Sequence, residues 1–341
     1  MTVTTRASLW REARRWLPGA IISVIALVIL LTLSKWNWAD LIQSWRAFQW
    51  QTLAIIIGLN VFSLFVRAAL WRTLLEERTT LTRSFFIINI GYILNNLFPL
   101  RMGEIGRAVF MGGATRLSPF HVLSTIVIER AFDLVMAAIL VLSTLPLALG
   151  QDWMRPVATV TLVVVVGMLA VLFLMARYRE RVHQISIRLG QRWRLVQKYI
   201  IPQVDALLEG LQALTNPRRF LLVLFWVVFN WSIWILMYYI GIRSMVQNAP
   251  LWWAMFADSL LALGVAIPSA PAALGVYEAS MVAALSILGV AYTTALAYAF
   301  LMHFMQFVIT GIFGFWGLAR EGKSLSNLWA EIRMTKNTKV E

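Results

Sequence analysis

Leu94-Asn95-Asn96-Leu97-Phe98-Pro99-Leu100-Arg101-Met102-Gly103-Glu104-Ile105-Gly106-Arg107 decides how the rest of the chain is read. The uncharged run before the break, Ser84–Phe98, extends about 22 Å as a helix, short of a ~30 Å hydrocarbon core. Pro99 stops that helix. Two Arg, a Glu and two Gly follow, and Ile105–Gly113 is apolar again apart from Arg107. Irregular, charged backbone at membrane depth survives only where it is buried in protein or lines a wet cavity. A short helix, a break marked by Pro99 and Gly103, and a second short helix describe a re-entrant hairpin. This makes the segment the leading site candidate.

Composition sets the class. The 341 residues are 60% hydrophobic and 13% charged, against about 25% charged in a soluble domain. The expected fold is an all-α polytopic membrane protein forming a single integral membrane domain over 1–341. With no cysteine there is no disulfide framework, thiolate metal site or thiol nucleophile. The three His (His121, His183, His303) are far apart, so no metal site or other cofactor is expected. The net charge of +14 comes from Lys and Arg beside apolar runs, where they act as topology signals and attract anionic lipid heads rather than nucleic acid.

The apolar runs Leu17–Ser34, Ala47–Val66, Phe120–Gly150, Pro156–Ala176 and Phe220–Ile242 are long enough to span, and Ala279–Ala319 holds one further span. Trp10, Trp16, Trp36 and Trp38 bracket the first, which reads as an uncleaved span rather than a signal peptide. Within Arg177–Arg219, the helical spacing of Leu189, Trp193, Val196 and Ile200 reads as an amphipathic segment on the bilayer surface, interrupted near Pro202.

A second break follows Leu251–Ile267, a run interrupted by Asp258. Pro268-Ser269-Ala270-Pro271-Ala272-Ala273-Leu274-Gly275-Val276-Tyr277-Glu278 carries two Pro, Gly275 and a Glu. Part of Ala279–Ala319 supplies its returning arm. About six full spans and two hairpins, each returning to its own side, place residues 1–16, Arg72–Arg83, Arg116, Arg177–Arg219 and 320–341 on one face. Most of the Lys and Arg are there, which marks that face as cytoplasmic and both termini with it. The hairpins then open in opposite senses, the pointer to an inverted repeat with a site near the midplane.

Arg101, Glu104 and Arg107 recur at intervals of three and would share a helix face. One reading is an anion site, with two guanidiniums on phosphate oxygens and Glu104 orienting one of them. The other is an internal ion-pair network. Glu129 and Asp133 lie at i, i+4, with Arg130 at i, i+3 from Asp133, positioned to compensate Arg101 or Arg107 or to form a salt bridge at a span end. Glu278, directly after the second break, is a further binding candidate, whereas Asp258 is expected near the outer interface. Asn95 and Asn96 would line a cavity or cap the broken helix. Arg67 is expected to snorkel to the headgroups, and His303 to be a packed, hydrogen-bonded side chain.

These residues resemble a known family. Pro99 to Arg107 matches the P-x-R-x-G-E-x-x-R pattern of the flippase-like transmembrane domain, the membrane region of lysylphosphatidylglycerol synthetase (multiple peptide resistance factor) and its stand-alone relatives. Glu129-Arg130-Ala131-Phe132-Asp133 matches E-R-x-x-D, and Pro271–Glu278 is similar to P-G-G-x-G-x-x-E. Ala272 and Ala273 replace two glycines of that last pattern, which argues against a close backbone approach there. The resemblance covers nearly the whole chain. It implies a multi-span bundle with re-entrant helices at the cell membrane that translocates or handles lipid. The soluble transferase domain of aminoacylating relatives has no counterpart in this sequence.

The leading expectation is a lipid flippase or transporter, binding an anionic or aminoacylated phospholipid or a polyprenyl-phosphate-linked lipid through Arg101, Glu104 and Arg107. No catalytic residue is assigned. A membrane transferase is disfavoured because Arg177–Arg219 is too short for a nucleotide-sugar or tRNA domain and no Asp-x-Asp motif occurs. The third reading is a non-catalytic subunit in envelope-lipid or glycan synthesis. Candidate partners are membrane lipids, an envelope-lipid biosynthesis enzyme and a second copy of the chain.

Overall fold

The computed structural model describes residues 38–46, 48–98, 101–115, 117–150, 177–190, 214–267 and 269–322, with isolated positions within 25–28 and 156–174. Among them there is no strand. The helices are α1 (Trp38–Arg46), α2 (Trp50–Leu74), α3 (Leu81–Leu97), α4 (Met102–Thr115), α5 (Pro119–Leu149), α6 (Arg179–Gly190), α7 (Pro217–Met245), α8 (Leu251–Ala266), α9 (Val276–Ile287) and α10 (Tyr292–Arg320). A short 3-10 turn, Pro271–Ala273, precedes α9. The spans expected over Leu17–Ser34 and Pro156–Ala176, the surface segment beyond residue 190, Pro99, Pro268 and Arg116 lie wholly or largely outside the described residues.

Among the described residues four helices, α2, α5, α7 and α10, are long and apolar enough to cross a membrane. At ~1.5 Å per residue the shortest of them, with 25 residues, reaches about 37 Å. Their outer faces carry bare apolar side chains: Phe304 is 67% exposed, and Leu221, Ile312 and Trp316 are similarly open. A water-soluble protein rarely leaves so much apolar surface contiguous, whereas lipid leaves it without penalty.

Local chemistry sets the helix starts. Thr80 caps α3 by accepting from the Arg83 N–H at 3.2 Å. Ser118 caps α5 by accepting from the His121 N–H at 3.0 Å, with Pro119 at the first helical position. Asn216 does the same for α7. The helix α8 runs unbroken through Asp258, the one charge within its apolar run.

The elements repeat a pattern. A long helix is followed by two short ones joined at a break, then by another long helix: α2, α3, α4, α5 and again α7, α8, α9, α10. The packing obeys the same exchange. In each half the short helices pack on each other, the first also on the long helix before it and the second on the long helix after it. Across the halves, α3 packs on α10 and α8 on α5, while α2 packs on α7. Side-chain pairs give the direction of the α2–α7 contact. Asn60 meets Met237, Phe62 meets Phe229 and Glu77 meets Arg219, so the two helices are antiparallel. The halves therefore run in opposite directions.

The crossing of the short helices depends on glycine. At Gly103 an added Cβ would strike the Gly91 carbonyl oxygen, and at Gly91 it would strike the Arg107 side chain. Only hydrogen at both positions lets α3 and α4 pack this closely.

Candidate functional site

Both breaks point to one cavity of about 350 Å³. Its wall takes residues from near the middle of each long helix: Arg67 of α2, Arg130 and Asp133 of α5, Trp231 and Trp234 of α7, and His303, Gln306 and Thr310 of α10. The first break contributes Asn95, Asn96, Phe98, Arg101 and Glu104, and the second contributes Ser269, Ala270, Ala272 and Ala273. The two tips touch, because Arg101 Nη2 donates to the Val265 carbonyl at the end of α8.

One wall is a continuous chain of alternating charges. Arg107 pairs with Glu129 at 2.8 Å, and Glu129 with Arg67 at 2.6 Å. Arg67 also holds Asp133 at 2.6 Å, and Asp133 holds Arg130 at 3.3 Å. Arg130 reaches Glu104 at 3.3 Å, and Glu104 lies 3.6 Å from Arg101. The chain has a closed end and an open end. Arg107 and Glu129 are buried, and the Trp71 ring lies 4.1 Å from the Arg107 guanidinium carbon. Arg101, Glu104 and Arg130 are partly exposed and line the cavity.

The sequence-derived candidates therefore divide. Arg101, Glu104, Arg130, Asp133, Asn95 and Asn96 line the cavity. Arg107 and Glu129 sit behind it and hold the wall. Asn95 also ties the break together, its Oδ1 accepting from the Gly103 N–H at 2.7 Å, and Asn96 bonds Thr310 on α10 at 3.3 Å. Arg67 does not snorkel. It is buried at the centre of the chain of charges, because Glu129 and Asp133 on α5 compensate it inside the bundle. Asp258, expected near the outer interface, is buried in the cavity wall, and its Oδ2 has no hydrogen-bond partner.

The opposite wall is differently built. Glu278 is outside the lining and buried. One oxygen accepts from the Gly275 N–H at 2.8 Å, which caps α9, and the other faces His303 Nδ1 at 2.7 Å. His303 stacks on Tyr277 with ring centroids 4.1 Å apart, and the Tyr277 hydroxyl lies 3.1 Å from that of Tyr238. His303, Tyr277, Tyr238 and Asp258 all line the cavity. The expectation of a packed, hydrogen-bonded His303 agrees with this geometry. Its partner, 25 residues away in sequence, was not legible without the fold.

Among the described residues, left-handed non-glycine backbone occurs at the breaks and in one loop. Arg101, Ala272 and Ala273 adopt left-handed φ of 53°, 57° and 55°, as do Glu76 and Glu77 after α2. For L-residues this costs roughly 1–2 kcal/mol each. Ala272 and Ala273 thus keep a glycine-like backbone at the positions where the resembled pattern has glycine, and they pack against α3.

Fold and site together define an integral membrane protein with a charged cavity among its apolar helices. The chain belongs to the family described as the lysylphosphatidylglycerol synthase TM region, which matches residues 16–314, and so to membrane proteins associated with lipid handling. No curated protein and no solved structure matches the chain.

Proposed function

We propose that this protein moves a lipid with an anionic headgroup between leaflets, holding the headgroup in the cavity while the acyl chains stay in the bilayer. The observation that carries this reading is the open end of the chain of charges. Four guanidiniums (Arg67, Arg101, Arg107, Arg130) alternate with three carboxylates (Glu104, Glu129, Asp133), which leaves one positive charge in excess. The terminal member, Arg101, is the one least committed to a carboxylate. A phosphate placed there would complete the alternation, with Arg130 adjacent. The volume lies within the range of ligand sites, about 300–1,000 Å³.

In this proposal α3–α4 and α8–α9 are re-entrant hairpins entering from opposite faces. With the spans over Leu17–Ser34 and Pro156–Ala176 they give six full spans, both termini cytoplasmic, in the cell membrane. The antiparallel α2–α7 pair and the exchange of packing partners support an inverted repeat, which brings a midplane site into contact with each face in turn. The classes of lipid that fit are anionic or aminoacylated phospholipids and polyprenyl phosphates.

Leaflet exchange in proteoliposomes tests the proposal. Labelled anionic, zwitterionic and aminoacylated phospholipids and a polyprenyl phosphate are compared, wild type beside Arg101→Ala. Exchange of an anionic-phosphate lipid that falls at least tenfold in the variant is the expected result. Absence of exchange for every class with folded protein overturns it.

A further inference from the structure

We infer that an anionic headgroup enters this cavity together with a proton, taken up at His303 and held by the His303–Glu278 pair. The inference rests on the transport reading above but makes a separate claim, that binding is proton-linked.

Charge accounting carries it. The described groups in and behind the cavity include four guanidiniums and five carboxylates, namely Glu104, Glu129 and Asp133 on one side and Asp258 and Glu278 on the other. Asp258 is buried with no ion pair and an unpartnered oxygen, so it holds its own proton; with the other four acids ionised and His303 neutral, four charges of each sign cancel. Bringing a phosphate anion into the region from water leaves one negative charge, in a setting where uncompensated charge is costly. The guanidiniums cannot respond, because Arg stays protonated throughout. His303 can. Its Nδ1 faces Glu278 at 2.7 Å, so Nδ1–H donates to the carboxylate and Nε2 is left as the nitrogen that takes a proton from water. Protonation converts the pair from a net negative unit to a neutral imidazolium–carboxylate pair. That restores the charge the phosphate removed, and loss of the same proton from Nε2 reverses it.

The surroundings suit a proton site. Tyr277 of α9 stacks on the ring, and Tyr238 of α7 continues the hydroxyl chain from it. From α10 itself Tyr298 lies against Tyr238. Asp258 of α8 is buried in the same wall with an unpartnered oxygen. From the far wall come Arg67, Tyr92, Arg101, Glu104, Arg130 and Asp133, while Arg46 of α1 is exposed. The fold supplies an internal contrast. Glu104 and Glu278 are the third residues of α4 and α9, and Arg130 and His303 are each the twelfth of the long helix that follows. The two acid–cation pairs occupy corresponding places, one with a permanent cation and one with a titratable group.

The test is calorimetric. Short-chain phosphatidylglycerol is titrated into the solubilised full-length protein near neutral pH, in buffers of different ionisation enthalpy. Wild type is expected to take up about one proton per lipid bound, and His303→Gln none. Binding without any buffer dependence in the wild type overturns the inference, whatever the variant does. In proteoliposomes, a pH difference of one unit is expected to drive up to about tenfold asymmetry of the lipid between leaflets. Lipid exchange indifferent to the gradient, with proton-free binding, overturns the coupling and leaves transport standing. Proton-linked binding without lipid exchange under any gradient keeps the proton site and overturns transport.

Discussion

The two halves of the cavity share a plan and differ in chemistry. In α2–α5, permanent guanidiniums are interlocked with three carboxylates into a chain that ends at Arg101. In α7–α10, the corresponding places hold one imidazole–carboxylate pair, a tyrosine chain and a lone Asp258. In our proposal the first half is a fixed template for an anion, and the second adjusts its charge to what the first has bound. A repeated fold can thus divide a task, because packing symmetry constrains helix positions but not the side chains at corresponding sites.

The largest effect is expected at Arg67, the member of the first half that bridges two carboxylates. Arg67→Met takes one of two cations from the buried Glu129 and from Asp133, leaving them with Arg107 and Arg130 alone, a loss of up to about 3–5 kcal/mol. His303→Gln in the second half removes a neutral partner and should cost less. Thermal unfolding of both in one detergent checks the order, and equal losses would erase the contrast between the halves.

Next come the glycines at the short-helix crossings. Gly103→Ala drives a Cβ into the Gly91 backbone, which cannot move without separating α3 from α4. Gly264→Ala meets the Ser280 Oγ, which can rotate away, and the Ser280 Cβ at 2.9 Å, which needs only a small shift of the helices. We expect a loss of about 1–3 kcal/mol for the first and under about 1 kcal/mol for the second, read from denaturation midpoints.

Smaller effects belong to the breaks. Asn95→Ala removes the acceptor for the Gly103 N–H and should cost about 1 kcal/mol. Ala272→Gly relieves a left-handed alanine and should stabilise by about 0.5–1 kcal/mol, a gain that would appear as a higher melting temperature. No gain would show that the second break is not strained as its φ implies.

Much of this was legible in the sequence. Charge and Pro/Gly punctuation within apolar runs exposed both breaks, and apolar length exposed α2, α5, α7 and α10. In the sequence Arg67 reads as a snorkelling cation, Asp258 as an interfacial acid and His303 as a packed imidazole, because each has no partner within its own helix. Arg67 and His303 find their partners on other helices, 62 residues away for Arg67–Glu129 and 25 for His303–Glu278, while Asp258 is placed by packing alone. The signal that could have shown them is the repeat itself. Once α4 and α9 are aligned, Glu104 and Glu278 correspond, and Arg130 and His303 follow.

Side-specific labelling gives the most direct check on the opposed halves. The chain has no cysteine, so a single introduced thiol is labelled without background. Glu77→Cys, in the loop between α2 and α3, and Gln247→Cys, in the corresponding loop between α7 and α8, would each be treated with a membrane-impermeant maleimide in sealed vesicles of known orientation. The two positions are expected to label from opposite sides, Glu77→Cys from the cytoplasmic face. Labelling of both from the same side would contradict the inverted arrangement and, with it, a cavity shared between opposed hairpins.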